Sequence, residues 1–177
     1  MARPVIEPWA VTVRLPDPGA VATSHHLEPD AAQRAQIAKS LGLQSLPALS
    51  ADLSVRPWMD GAEIKGRFSA VVEQVCAVSL EPFEHPLAGD IELRVVPAGS
   101  PQAPTADGGE VEYDPDAPDP PDILDSAGVD LAHYVVEHLA LEIDPFARKP
   151  GAQFDYTPPD EPASPFAILK KLQVPKP

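Results

Sequence analysis

Two runs of alternating residues, joined by Asp60-Gly61, constrain this chain more than anything else in it. In the first, Leu49, Ala51, Leu53 and Val55 alternate with Ser50, Asp52, Ser54 and Arg56. In the second, Ile64, Phe68, Ala70 and Val72 share one parity, while Glu63, Lys65, Arg67 and Glu73 hold the other. A period of two places successive side chains on opposite faces of a strand. Asp-Gly between two such runs is a strong hairpin signal. The sequence therefore predicts an antiparallel sheet with one buried face and one wet face, Glu63 lying on the wet one.

Further strands follow from the same period. Trp9, Val11, Val13 and Leu15 alternate with polar or small residues, and Pro16-Asp17-Pro18-Gly19 reads as a turn that returns the chain through Val21 to Leu27. Ile91, Leu93 and Val95 alternate with Asp90, Glu92 and Arg94, while Pro82 ends the preceding run. Helices are announced by caps. Asp30 with Gln33 forms a capping box, Ile37 and Leu41 share a face, and Gly42 supplies the left-handed stop. Asp130 begins a second helix with an apolar stripe of Leu131, Val135 and Leu139, ended before Pro145. Ser164-Pro165 opens a short third helix carrying Phe166, Leu169 and Leu172. The expected fold is α+β: one domain over 1–177, with an antiparallel β-sheet, open or barrel-like, about three helices and a long loop. That loop, residues 98–128, is rich in acids and proline, and it is expected to be mobile because it has little apolar surface to offset ordering.

The charge is uneven. The net charge is −14, and the stretch between Val95 and Ala147 holds twelve acids and no Lys or Arg. A protein that binds nucleic acid mainly through phosphates needs a basic face, so a basic protein is the better-matched direct partner. No apolar run is long enough to cross a membrane, the first residues do not read as a signal peptide, and a single cysteine forms no internal disulfide. These features predict a cytoplasmic protein.

The candidate chemistry is sparse. Cys76 shares parity with Phe68, Ala70 and Val72, so it is expected on the buried face as an inert small hydrophobe whose pKa nothing nearby lowers. His25 and His26 point to opposite faces of a strand. His133 and His138 lie about 140° apart around a helix, and His133-Tyr-Val-Val-Glu137-His138 has one residue too many for a metalloprotease motif. Zinc needs three or four converging ligands, so solvated histidines are expected and neither a metal nor a cofactor. Asp114 to Asp125 lacks the glycine and glutamate of a calcium loop. No phosphate-binding glycine loop, dinucleotide fingerprint or nucleophile elbow is present. The stretch "DPFARKPGAQF" restores positive charge with Arg148 and Lys149 after Asp144, and Gly151 permits a tight turn. It reads as a tethered surface loop or as a contact patch for an anionic partner.

Several stretches together resemble one family. "EPDAAQRAQIAKSLGLQSLPAL", "GRFSAVVEQVCAVSLEPF", "GVDLAHYVVEHLALEIDPFARKPGAQF" and "SPFAILKKL" follow in the order and spacing of the YceD-like proteins, the large-ribosomal-RNA-subunit accumulation family, also listed as domain of unknown function 177. The resemblance covers most of residues 10 to 172. It implies a bacterial cytoplasmic factor, without enzymatic activity, for accumulation of 23S rRNA and biogenesis of the 50S subunit. Many members carry C-x-x-C where this chain has Cys76-Ala-Val-Ser79, so a thiolate zinc site does not transfer. The expected partner is a ribosomal protein or pre-50S particle, with the acidic segment holding a basic protein, or rRNA touched by Arg148 and Lys149 together with Lys170 and Lys171. Glu137, Asp144, Arg148, Lys149 and Gly151 are the candidate binding residues. The rival reading is a small hydrolase or nuclease acting on rRNA.

Overall fold

The computed structural model describes residues 9–104, 119–126 and 128–154. The elements run β1 (Thr12–Arg14), β2 (Thr23–Leu27), α1 (Ala31–Leu41), β3 (Ser45–Trp58), β4 (Gly61–Val75), β5 (Pro82–Pro97), β6 (Asp122–Leu124), β7 (Gly128–Asp130) and α2 (Leu131–Glu142). The five-stranded sheet has the order β2-β3-β4-β5-β6 and is open, not a barrel. Neighbours through β5 are antiparallel, and β6 is added parallel to β5. The third helix expected after Ser164 lies outside the described residues. Among the described residues no helix is long and apolar enough to cross a membrane.

The parity read from the sequence sets the buried face. Leu49, Ala51, Leu53 and Val55 of β3 join Ile64, Phe68, Ala70 and Val72 of β4 and Ile91 and Val95 of β5 in one core, which α1 closes with Ile37 and α2 with Leu131, Val135 and Leu139. The caps form as expected. The Asp30 carboxylate accepts the Gln33 N–H while the Gln33 side chain accepts the Asp30 N–H, each at 2.8 Å, and Gly42 ends α1 at φ 70°. The Asp130 carboxylate accepts the N–H of Ala132 at 3.0 Å and that of Val11 at 2.8 Å, so one side chain caps α2 and fastens β1 beside it.

Four expectations are corrected. The first strand is only three residues long, and it pairs with β7 rather than with the returning segment, which joins β3 instead. The β3–β4 loop is Met59-Asp60, one residue earlier than the Asp-Gly signal placed it. Gly61 already pairs with Trp58, because a Cβ there would overlap the backbone of Val95 in the next strand. Within the span expected as a loop, 98–128, residues Asp122–Leu124 form β6, while 105–118 and 127 lie outside the described residues.

Glu63 is the fourth, since it sits on the wet-face parity yet is 2% exposed. Arg56 lies directly across from it on β3 and Arg94 directly across on β5. Arg56 and Arg94 pair with the Glu63 carboxylate, Lys65 comes within 3.8 Å, and Arg94 lies over the Trp58 ring at 5.1 Å. Long arginine stems thus roof the glutamate. Burial alone would push its pKa up. The hydrogen bond and charge of Arg56, aided by Lys65 and Arg94, outweigh that and hold it below the usual carboxylate range.

Candidate functional site

The five candidate residues fall in two places. Glu137 lines a groove between α2 and the outer edge of β5. Asp144, Arg148, Lys149 and Gly151 belong to the loop after α2, which docks elsewhere, on the turn between β4 and β5.

The groove has a volume of about 530 Å³ and is walled by Glu92, Leu93 and Arg94 of β5, by Asp119, Pro120 and Asp122, and by Tyr134, Glu137 and His138 of α2. Helical spacing explains the last three: Tyr134, Glu137 and His138 are three and four apart and so share a face. Tyr134 is held above the ordinary tyrosine pKa, first by burial, then by the charge of Asp122 and its hydrogen bond to that carboxylate, and by Glu137. Its hydroxyl is therefore a permanent donor, ordering Asp122 on the groove wall. The His138 Nδ1–H donates to the Tyr134 carbonyl at 2.8 Å, which fixes the tautomer. Glu137 pairs with His133 at 3.2 Å on the exposed side. Of the two arginine and histidine groups in the wall, Arg94 is already committed to Glu63. Four carboxylates thus line one opening, of which Glu92 is paired with Lys65 at 2.5 Å.

The second place concerns Cys76. The thiol has no exposed surface, as expected, but it is not in the strand: β4 ends at Val75 and Cys76 opens the turn. Its Sγ accepts N–H groups from Val78 and Ser79, each at 3.4 Å, and from Lys149 at 3.3 Å. The expectation of an unperturbed thiol is overturned. Hydrogen bonds from the Ser79 side chain and backbone, with those from Lys149 and Val78, lower its pKa to about 6. Period-two parity carried Cys76 on into the strand and so hid the turn that brings Ser79 and Val78 onto the sulfur, while Lys149 comes from 73 residues away. The Ser79 hydroxyl thus serves the sulfur as a hydrogen-bond donor, and no thiolate stands where a second zinc ligand would be needed. Among the described residues no three His, Cys, Asp or Glu side chains converge as a metal set.

Further bonds tie the loop down. The Ala77 N–H donates to the Ala147 carbonyl at 3.0 Å, Gln74 Nε2 donates to the Asp144 carbonyl at 3.0 Å, and Lys149 Nζ pairs with Glu81 at 3.0 Å. The Asp144 carboxylate accepts the Phe146 N–H at 2.8 Å, and Gly151 turns the chain at φ 78°. The basic stretch is therefore a clamped loop that uses Lys149 internally. Arg148 stays exposed.

This bonding predicts the behaviour of Cys76. Because the folded thiol ionises at lower pH than the unfolded one, its contribution to stability is fully present above the unfolded value near 9 and is lost as pH falls through about 6. The stability gap between the native chain and Cys76→Ala should widen as pH rises from about 6 to 9. Denaturant midpoints across that range, with the ultraviolet absorbance of the thiolate, check it. A constant gap would show that the sulfur is not a hydrogen-bonded thiolate.

No curated protein matches the chain, and no solved structure does. One family model does match, described as large ribosomal RNA subunit accumulation protein YceD, over residues 64–173. The match takes in β4, the Cys76 turn, β5, the groove, α2 and the docked loop, and it leaves out β1 to β3, including the first helix that also resembled the family. More than half of the chain is covered, and the resembling stretch that carries all five candidate residues lies within it. The chain belongs to the YceD family, described by its part in accumulation of the large-subunit ribosomal RNA.

Proposed function

We propose that this protein is a non-enzymatic factor in the synthesis, processing or stability of large-subunit rRNA, and that it acts by holding a basic ribosomal protein against the α2–β5 groove until assembly. The observation that carries this reading is the distribution of charge. Asp119, Asp122 and Glu137 border one groove, beside Glu92, which Lys65 already pairs. On the wet face of the sheet, Arg56, Lys65, Arg67 and Arg94 are each spent on Glu63, Asp90 or Glu92 across the strands. Among the described residues that face holds little free positive charge to meet phosphate, Lys170 and Lys171 lying outside them, whereas the groove complements lysine and arginine, and opposite charges steer encounter. Direct contact with rRNA through Arg148 is the weaker reading, because its neighbour Lys149 is paired with Glu81.

Affinity purification with and without RNase, read by mass spectrometry, tests the choice. A ribosomal protein retained after RNase supports the groove, and loss of every ribosomal component after RNase would refute it. Glu137→Lys gives the residue-level check. Glu137 is exposed and its pair with His133 lies at the surface, so the change should alter stability by less than about 0.5 kcal/mol. Association with the basic partner should nevertheless weaken and depend less on salt. Cells carrying only this variant should accumulate less large-subunit rRNA. Normal sucrose-gradient profiles with the variant expressed and folded would remove Glu137 from the site.

A further inference from the structure

The edge of the sheet beside the groove is open. The strand β5 runs from Pro82 to Pro97, but β6 covers only Val95 to Pro97. The direction of its backbone groups follows from two contacts. The Ala98 N–H reaches across to the Leu124 carbonyl, and the Val95 carbonyl faces Gly61 of β4. In a strand the N–H and C=O of one residue point to the same side and alternate with those of the next. The register to β4 runs without a shift from Val95 back to Pro82. Odd-numbered residues therefore bond β4, while Ala88, Asp90, Glu92 and Arg94 direct their N–H and C=O groups outward. The parallel Val95–Asp122 pair already takes the Arg94 carbonyl, but among the described residues no strand pairs on the outer side of Ala88, Asp90 and Glu92.

The first half of this edge is blunted, because Pro82 and Pro86 fall on outward positions and lack the donor. From Ala88 to Arg94 there is no proline. Nor can β6 extend backward over this stretch. Pro120 holds the next position that would face β5, two residues before Asp122, and it has no N–H to give to the Glu92 carbonyl. What lies beside the open edge instead is the acidic groove.

We propose that this edge takes an added strand: an extended, lysine- or arginine-rich segment of a partner protein pairs with Ala88 to Arg94 and sets its cationic side chains against Asp119, Asp122 and Glu137. This deepens the groove reading above and rests on it. Main-chain hydrogen bonds supply affinity that does not depend on the partner's sequence, and alternate side chains supply selectivity. A folded basic domain or an RNA strand would leave the edge donors unused.

The probe is a short synthetic peptide of alternating lysine and valine, compared with the same peptide N-methylated at alternate residues. Both carry the same charge, but the second loses the donors a strand needs. The parent peptide should bind and slow hydrogen exchange at the amides of Ala88, Asp90, Glu92 and Arg94, and methylation should weaken binding about tenfold or more. Ala88→Pro removes one outward donor at an exposed position, as Pro86 already does, and should lower affinity for the parent peptide with the melting temperature unchanged. If that variant unfolds, the methylated peptide against the native chain still decides. Equal binding of the two peptides overturns strand addition while leaving the charge reading standing. Failure of both to bind also overturns it, and the affinity purification then judges the groove by itself. Slow exchange at these four amides in the free protein would mean the chain covers its own edge, and would overturn the proposal as well.

Discussion

Gly66→Ala should destabilise the protein by about 3 kcal/mol, the upper end of what overpacking costs. Gly66 sits in the middle of β4 between Leu53 of β3 and Ile91 of β5. A Cβ there would overlap the Asp52 carbonyl, and it would lie 2.8 Å from a Leu53 methyl and 2.9 Å from the Leu53 Cα. Two of the obstacles are backbone, so no rotamer change relieves the clash. The central strands would have to part where both are paired on each side. For a chain of this size each kcal/mol lowers the melting temperature by about 2–4 °C, so a scan should find a drop of roughly 10 °C. A loss below about 1 kcal/mol would show that β3 and β4 are not this close at Gly66.

Leu139→Ala should cost about 2–5 kcal/mol, the range for emptying a leucine site in a close-packed core. Leu131, Val135 and Leu139 have no exposed surface, and they form the stripe by which α2 covers the sheet. The helix has few other means of staying docked. Its first turn holds no acidic residue and its last turn no basic one, so the Asp130 cap and the buried apolar face carry most of its docking. Leu139→Asp would bury an unpaired charge and should prevent folding. Both changes should also remove function, since α2 supplies Tyr134, Glu137 and His138 to the groove. Urea unfolding measures the first, and a midpoint within error of the native chain would mean that α2 does not pack as described.

Much of the fold was legible because it depends on neighbours in the sequence. Alternation at Leu49 to Val55 and at Ile64 to Val72 fixes which face of each strand is apolar, and only one face can be buried in a sheet covered by helices on one side. Asp30, Gln33, Gly42 and Asp130 act within a few residues of themselves, so the bounds of both helices could be read locally. The strand pairing of β1 could not, because Thr12 to Arg14 meets Gly128 to Asp130 across most of the chain, through the Asp130 carboxylate on Val11.

The sequence by itself determined the two helices, the three long strands, the face each turns inward and the acidic excess, since periodicity and charge are properties of the chain. Only the tertiary structure decided what three groups became. Glu63 has polar parity and a polar side chain, yet it is buried, because adjacent strands bring Arg56 and Arg94 over it and their charges offset its desolvation. Cys76 was expected to be inert, yet it is a hydrogen-bonded thiol, because β4 ends before it and the turn aims Ser79 and Val78 at the sulfur, with the Lys149 N–H added from a loop 73 residues away. Glu137, Asp122 and Glu92 are far apart in sequence, yet they face one groove, because β6 pairs in parallel beside β5 and α2 folds back over that edge. For Glu63 and the groove the deciding interactions are between strands or across a long loop, and neither period nor propensity carries information about which distant residue closes the distance.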